Sequence, residues 1–208
     1  MSFKTDQEEF WAGNFGDEYV ERNKDERFTA TNIALFAKVL SHTQSISSII
    51  EFGSSIGLSL IALRKLLPKA ELSAIEINQK AVKQLEQIGD IKTFPISVFD
   101  FKPDYPRDFV FTKGFLIHIN PEMLSTVYEL LYETSSRYIC VVEYYNPTPV
   151  EVTYRGHKGK LYKRDFAGEL MDKFDDLKLI DYGFVYHRDD NYPQDDMNWF
   201  LLEKVKCN

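Results

Sequence analysis

Three carboxylates and one imidazole stand where short apolar runs end. Glu51 follows Ile49-Ile50, Glu76 follows Leu72-Ser73-Ala74-Ile75, Asp100 follows Val98-Phe99, and His118 comes soon after the run 108–112. If those runs are parallel strands, their carboxyl ends share one edge of a sheet, which is where open α/β sheets bind ligands. A carboxylate placed there accepts hydrogen bonds from hydroxyls or pairs with an ammonium. The imidazole titrates near working pH and is the candidate general base. Alternatively, a histidine at that point simply packs and hydrogen-bonds.

The turn after the first acid, Phe52-Gly53-Ser54-Ser55-Ile56-Gly57, runs into the helical pattern Leu58–Leu67. Strand, glycine turn and helix let backbone approach a nucleotide-like ligand closely. Glycines at 53 and 57, with Ser55 between them, do not make the dinucleotide pattern G-x-G-x-x-G, and no Gly-Lys-Ser/Thr supplies a phosphate loop. S-adenosylmethionine (SAM) has no phosphates and fits better. On this reading Glu51 reaches the ligand's ammonium, directly or through water. Gly53, Ser54 and Gly57 shape the loop, Glu76 holds the ribose hydroxyls, and Ile77 lies against the adenine. The plainer alternatives are a tight strand-to-helix turn and a solvated acid at a strand end.

The elements that must position these residues alternate along the chain. Strands are predicted at 48–52, 72–76, 93–98, 108–112, 138–143, 178–185 and 198–204, and helices at 28–41, 57–67, 79–88, 121–133 and 165–174. Such alternation implies an α/β fold, a Rossmann-like, mostly parallel seven-stranded sheet with helices on both faces. The last two strands have no helix between them and should form a terminal antiparallel hairpin. Residues 1–208 read as a single domain. Thr5 and Glu8 form a capping box ahead of Phe10 and Trp11, and Gly13 and Gly16 are expected to break that segment before a short turn at 17–22. Trp11, Phe15 and Tyr19 then belong to an N-terminal helical lid (1–41) over the ligand, or to ordinary amphipathic packing.

Composition narrows the function classes. A net charge of −7 argues against a general nucleic-acid binder, and no apolar run approaches the ~20 residues of a membrane span. The polar, acidic N-terminus is unlike a signal peptide, so the cytoplasm is expected. Cys140 and Cys207 make neither a disulfide framework nor a metal-ligand spacing. Against this acidic background, residues 144–165 form a long insertion with Arg155, Lys158, Lys160, Lys163 and Arg164. Arginine recognises carboxylate or phosphate in a bidentate manner, so the segment suits an anionic ligand, with Tyr144, Tyr145, Tyr154 and His157 as hydrogen-bonding groups. A solvated basic hairpin is the alternative. The final hairpin offers Asp189, Asp190, Asp195, Asp196 and Asn198 across the mouth, without ligand spacing specific enough to expect a metal.

The segments Gln7–Gly13, Glu51–Gly57, Gly114–Pro121, Tyr154–His157 and Pro193–Phe200 together resemble class I SAM-dependent methyltransferases, and within them the methylases associated with pseudaminic acid biosynthesis. The resemblance spans nearly the whole chain. It departs from the superfamily's E/D-x-G-x-G-x-G loop at Ser55. It implies that Asp100 takes the adenine amino group, that Phe99 lines the ring, and that Lys113 and Gly114 pass close to the sulfonium side. It implies methyl transfer from SAM to a small, polar, anionic acceptor, a pseudaminic-acid-type sugar or its activated form, met by Tyr145, Tyr154, Arg155, His157, Arg164 and Asn198. The rival readings are a methyltransferase of another small metabolite and a SAM-binding partner protein without turnover.

Overall fold

Alternating burial explains how the sheet forms. In β1 (Ser48–Phe52) and β4 (Arg107–Lys113), Ile49, Phe109 and Phe111 face one side while Ile50, Phe52 and Val110 face the other, and all are fully buried. A strand apolar on both faces must be covered twice. The computed structural model, which describes residues 3–23, 25 and 27–205, supplies both covers. Helices α3 (Arg27–Leu40), α4 (Leu58–Leu66) and α5 (Gln79–Ile88) pack Phe36, Leu60 and Leu85 on one face. Helices α6 (Leu124–Thr134) and α7 (Phe166–Lys173) pack Leu131 and Leu170 on the other.

The remaining strands of the main sheet are β2 (Glu71–Ile75), β3 (Ile91–Phe94), β5 (Ser135–Glu143), β8 (Leu177–Val185) and β9 (Met197–Lys204). The order is β3-β2-β1-β4-β5-β9-β8. The first five are parallel, β9 runs antiparallel to β5, and β8 pairs with β9 as a terminal hairpin. The chain order reverses at β1, so β1 and β4 leave the sheet side by side and open a crevice at their carboxyl ends.

Two expectations change, and the insertion takes a definite form. The third strand is β3, 91–94, rather than 93–98, because Ser97 accepts the Phe99 amide and starts a 3-10 turn over Val98–Asp100. Gly16 does not break the N-terminal segment: α1 (Asp6–Ala12) ends at Gly13, and α2 (Asn14–Arg22) runs through Gly16. A β carbon there would stand 1.9 Å from the Trp11 carbonyl oxygen, so glycine is what allows the two helices to meet. Residues 150–163 of the insertion fold as a hairpin. The short strands β6 (Val150–Glu151) and β7 (Tyr162–Lys163) pair antiparallel, and backbone bonds Val152–Leu161 and Tyr154–His157 continue the ladder to a tight turn at Arg155-Gly156. Cys140 is buried in β5; Cys207 lies outside the described residues. Among the described residues no helix is long and apolar enough to cross a membrane.

Candidate functional site

The crevice encloses a cavity with about 130 Å³ of room for the centres of water-sized spheres. Its floor comes from the sheet. Gly53 and Ser55 contribute from the β1–α4 loop, Glu76 and Ile77 from the end of β2, and Lys113 and Gly114 from the end of β4. Its roof comes from the N-terminal helices, through Gln7, Trp11, Gly16 and Tyr19. Ile96–Phe99 close one side and Phe115 with His118–Asn120 another.

Glu76 is the best-defined group. Its Oε2 accepts the Ser55 amide at 2.7 Å and its Oε1 the Asn78 amide at 2.7 Å. Each oxygen keeps further acceptor capacity, and the residue lines the cavity. Burial pushes the carboxyl above its usual range, opposed by the Asn78, Ser55 and Ile77 amides. The loop is left-handed at Gly53 (φ 73°), Ser55 (φ 47°) and Gly57 (φ 79°). Serine is an unfavourable residue for that region, and the amide bond to Glu76 holds it there.

Glu51 does not reach the wall. It is buried at the end of β1, its Oε2 has no hydrogen-bond partner, and burial raises its carboxyl to about 8, with Ser59 and Lys113 opposing the shift and Glu76 adding to it. Ser54 and Gly57 are likewise absent from the lining: the Ser54 hydroxyl turns back to the Glu51 carbonyl at 3.0 Å, and Gly57 is the N-cap of α4. Lys113, beside Glu51, is held below its ordinary value by burial, against the charges of Glu51, Asp195 and Glu143.

Asp100 also stays off the cavity wall. It lies outside the cavity and is exposed, and its Oδ1 accepts from Lys4 Nζ at 2.6 Å while that ammonium also bonds the Phe99 carbonyl at 2.9 Å. Phe99 stays on the wall. The side expected of Asp100 is built instead by Ser97 and by Glu8, whose Oε1 accepts the Ser97 hydroxyl and whose Oε2 takes the Lys4 and Thr5 amides at 2.6 and 2.9 Å. The capping box was legible in Thr5 and Glu8; that the same glutamate bonds Ser97 was not.

His118 is nearly buried, and its Nδ1 lies 2.6 Å from the Lys160 carbonyl oxygen. A carbonyl only accepts, so Nδ1 carries the proton and Nε2 remains an acceptor. Burial holds its pKa down at about 4, so the ring is neutral at neutral pH. The loop bearing it is tied to Glu143, whose Oε1 accepts the Phe115 and Leu116 amides, each at 3.0 Å. Sequence reading passed over Glu143 although it ends the apolar run of β5 as Glu51 ends that of β1. Trp11 and Tyr154 pack against His118 with ring centroids 4.5 and 5.1 Å away. Tyr19 packs on Trp11, and burial, helped by Tyr154 and Asp195, raises its phenol above the ordinary value.

The expected acceptor residues fall into two groups. Tyr154, Arg155 and His157 lie over the N-terminal helices: His157 meets Phe10 and Phe15 at 5.0 and 5.5 Å, and Arg155 sits at the exposed turn above the Tyr154 ring. Tyr145, Arg164 and Asn198 lie apart from them. Tyr145 rests on Phe200, and Asn198 is a β9 residue paired with Glu143 in the sheet. Arg164 Nε is 2.8 Å from Glu169, so its charge is already matched. None of the six lines the closed cavity.

The architecture is the Rossmann-like methyltransferase fold. Among solved structures, the chain is similar to the 1,6-didemethyltoxoflavin-N1-methyltransferase of Burkholderia thailandensis with bound 1,6-didemethyltoxoflavin and S-adenosylhomocysteine (SAH), with a TM-score of 0.70, 10% identity and coverage of 96% of this chain and 87% of that one. It is also similar to the magnesium protoporphyrin IX methyltransferase of Synechocystis PCC 6803 with bound SAH (TM-score 0.69, 13% identity, coverage 96% and 100%). A third is the plantazolicin methyltransferase BpumL in complex with a monoazolic desmethylPZN analog and SAH (TM-score 0.63, 14% identity, coverage 96% and 94%). No family model matches the chain, and no curated protein sequence matches it.

Proposed function

We propose that this protein is a methyltransferase that takes the methyl group of SAM and places it on a small, polar, anionic acceptor. The observation that carries the reading is Glu76: a carboxylate fixed by two backbone amides, on the wall of a cavity at the sheet's switch point. That donor set fits a ribose diol, and solved proteins of the same fold hold SAH. SAM supplies a methyl group made electrophilic by its sulfonium. The chain's own residues bind, orient and exclude water. Gly53 and Ser55 bring backbone to the ligand, Ile77 and Phe99 offer apolar surface to its base, and Trp11 and Tyr19 roof it. Lys113 and Gly114 flank the other end, with Glu51 behind them.

His118 Nε2 is the group that takes a proton from an acceptor hydroxyl or amine. With its pKa held near 4 the imidazole is neutral across the physiological range but a weak base, so holding the reactants in line does most of the work. For the acceptor, Arg155 is the charge that supports an anion, exposed at the turn beside Tyr154. Together with the resemblance of segments 7–13, 114–121 and 193–200, it favours a pseudaminic-acid-type sugar or its activated form over other small metabolites. The test is release of SAH when the protein is incubated with SAM and such sugars. SAH formation with a different acid, or with none of them, redirects the acceptor assignment. Failure to bind SAM at all removes the reading.

A further inference from the structure

The carbonyl that fixes His118 belongs to the β6–β7 hairpin, and the hairpin's position is set from the other end of the chain. Gln7, a buried residue of α1, donates from Nε2 to the Gly159 carbonyl at 2.8 Å. Lys160 Nζ donates to the Asp6 carbonyl at 2.8 Å. These two bonds, one to the Gly159 backbone and one from the Lys160 side chain, tie the hairpin to α1 just before the peptide whose oxygen meets His118. Within the hairpin, Glu151 Oε1 accepts the Gly159 amide at 2.6 Å and the Leu161 carbonyl accepts the Val152 amide at 2.9 Å. The helix is itself pinned to the sheet side by Glu8–Ser97 and Lys4–Asp100. Sheet, first helix, hairpin and imidazole therefore form one continuous series of contacts.

We propose that Gln7 is a positioning residue that sets the tautomer of His118: by holding the Lys160 carbonyl against Nδ1, it keeps Nε2 unprotonated and able to accept. An imidazole without a fixed acceptor exchanges its proton between both nitrogens, and the nitrogen needed as acceptor is then a donor for part of the time. The importance of this coupling for turnover rests on the reading of His118 as the base; the coupling itself does not.

The test separates the two. In the full-length protein labelled with 15N-histidine, long-range 1H–15N spectra report the tautomer of each of the four histidines, and His118→Asn identifies the His118 signal. The wild type should show His118 as a single Nδ1–H form. Gln7→Ala and Gln7→Glu, which remove the donor with and without loss of bulk, should give mixed tautomers. Lys160→Ala, which cuts the second clasp but leaves the carbonyl in the backbone, should do so independently, and it serves if the Gln7 variants do not fold. An unchanged single tautomer in any folded Gln7 variant, or in Lys160→Ala if neither folds, overturns the proposal. Where turnover is measured, kcat should fall by about tenfold, a fraction of what a general base contributes. Scrambled tautomers with normal kcat would instead remove His118 as the base while leaving the coupling in place.

Discussion

Glu76 Oε2 accepts the backbone amide of Ser55 at 2.7 Å, across the turn that follows β1. The acid at the end of one strand thereby holds the loop at the end of its neighbour, and holds it at the position where the superfamily's loop pattern has a glycine. The bond gives a physical reason for a serine at φ 47°. It also means that Glu76 has two functions, shaping the loop and presenting a carboxylate to the cavity.

Glu76→Ala should therefore weaken SAH binding by about 1–3 kcal/mol, the cost of losing hydrogen bonds to a charged group. Calorimetry checks it, with NAD as a control that should not bind. Affinity equal to that of the wild type would take Glu76 out of the ribose site.

Arg155→Lys should raise the acceptor's KM while SAM affinity stays within about twofold. Lysine keeps the charge at the exposed turn but cannot reproduce a planar bidentate contact. Arg164→Lys is the internal contrast: because Arg164 is paired with Glu169, its effect should fall on stability of the α7 start rather than on acceptor kinetics. Loss of SAM binding in Arg155→Lys with acceptor kinetics spared would place the acceptor elsewhere.

His118→Ala should lower kcat by about 10²–10⁴-fold if the imidazole takes the proton, with SAH affinity nearly unchanged. Near-normal turnover would leave positioning and desolvation as the whole of the rate enhancement. Measuring kcat and KM separately distinguishes lost proton transfer from a displaced Trp11–Tyr154 wall.

These residues also mark how far the sequence could be read. The sheet was legible because its signal is local: apolar runs of strand length, separated by helical patterns, leave one economical arrangement. Glu51, Glu76 and His118 drew notice for the same reason, since each sits at or soon after the end of a run; Glu76 and His118 line the cavity, whereas Glu51 is buried off its wall. Asp100 looked equivalent but lies outside the cavity. Its surroundings depend on Lys4, 96 residues away in sequence, and on a Ser97 cap that turns the chain after β3. Gln7 and the Lys160 carbonyl carry no local signal either: one is a polar residue in a helix, the other a backbone atom, and only the fold brings them to His118. The basic insertion was read as a set of cations facing a substrate, but pairing removed Arg164 from it and left Arg155.

Glu51 gives a prediction with a defined sign. Its folded pKa of about 8 exceeds the ordinary 4.5, so between those values the folded protein binds more protons than the unfolded chain. Unfolding free energy therefore falls as pH rises through that window, at no more than about 1.4 kcal/mol per pH unit for one group. The contribution is fully present below pH 4.5 and lost above 8. Glu143, raised to about 7 chiefly by burial, adds a slope of the same sign. Glu51→Gln should remove the first contribution, so the variant's Tm should gain on the wild type steadily from pH 5 to pH 8. Binding supplies a second readout. If Glu51 serves the ligand's ammonium, the added positive charge lowers its pKa, and SAH binding at pH 7 releases protons. Calorimetry in buffers of different ionisation enthalpy measures that release, which Glu51→Gln should abolish. A Tm difference that does not change with pH would show that the buried carboxyl is ionised in the free protein. Proton release that persists in the variant would assign it to another group, with Lys113 the nearest candidate.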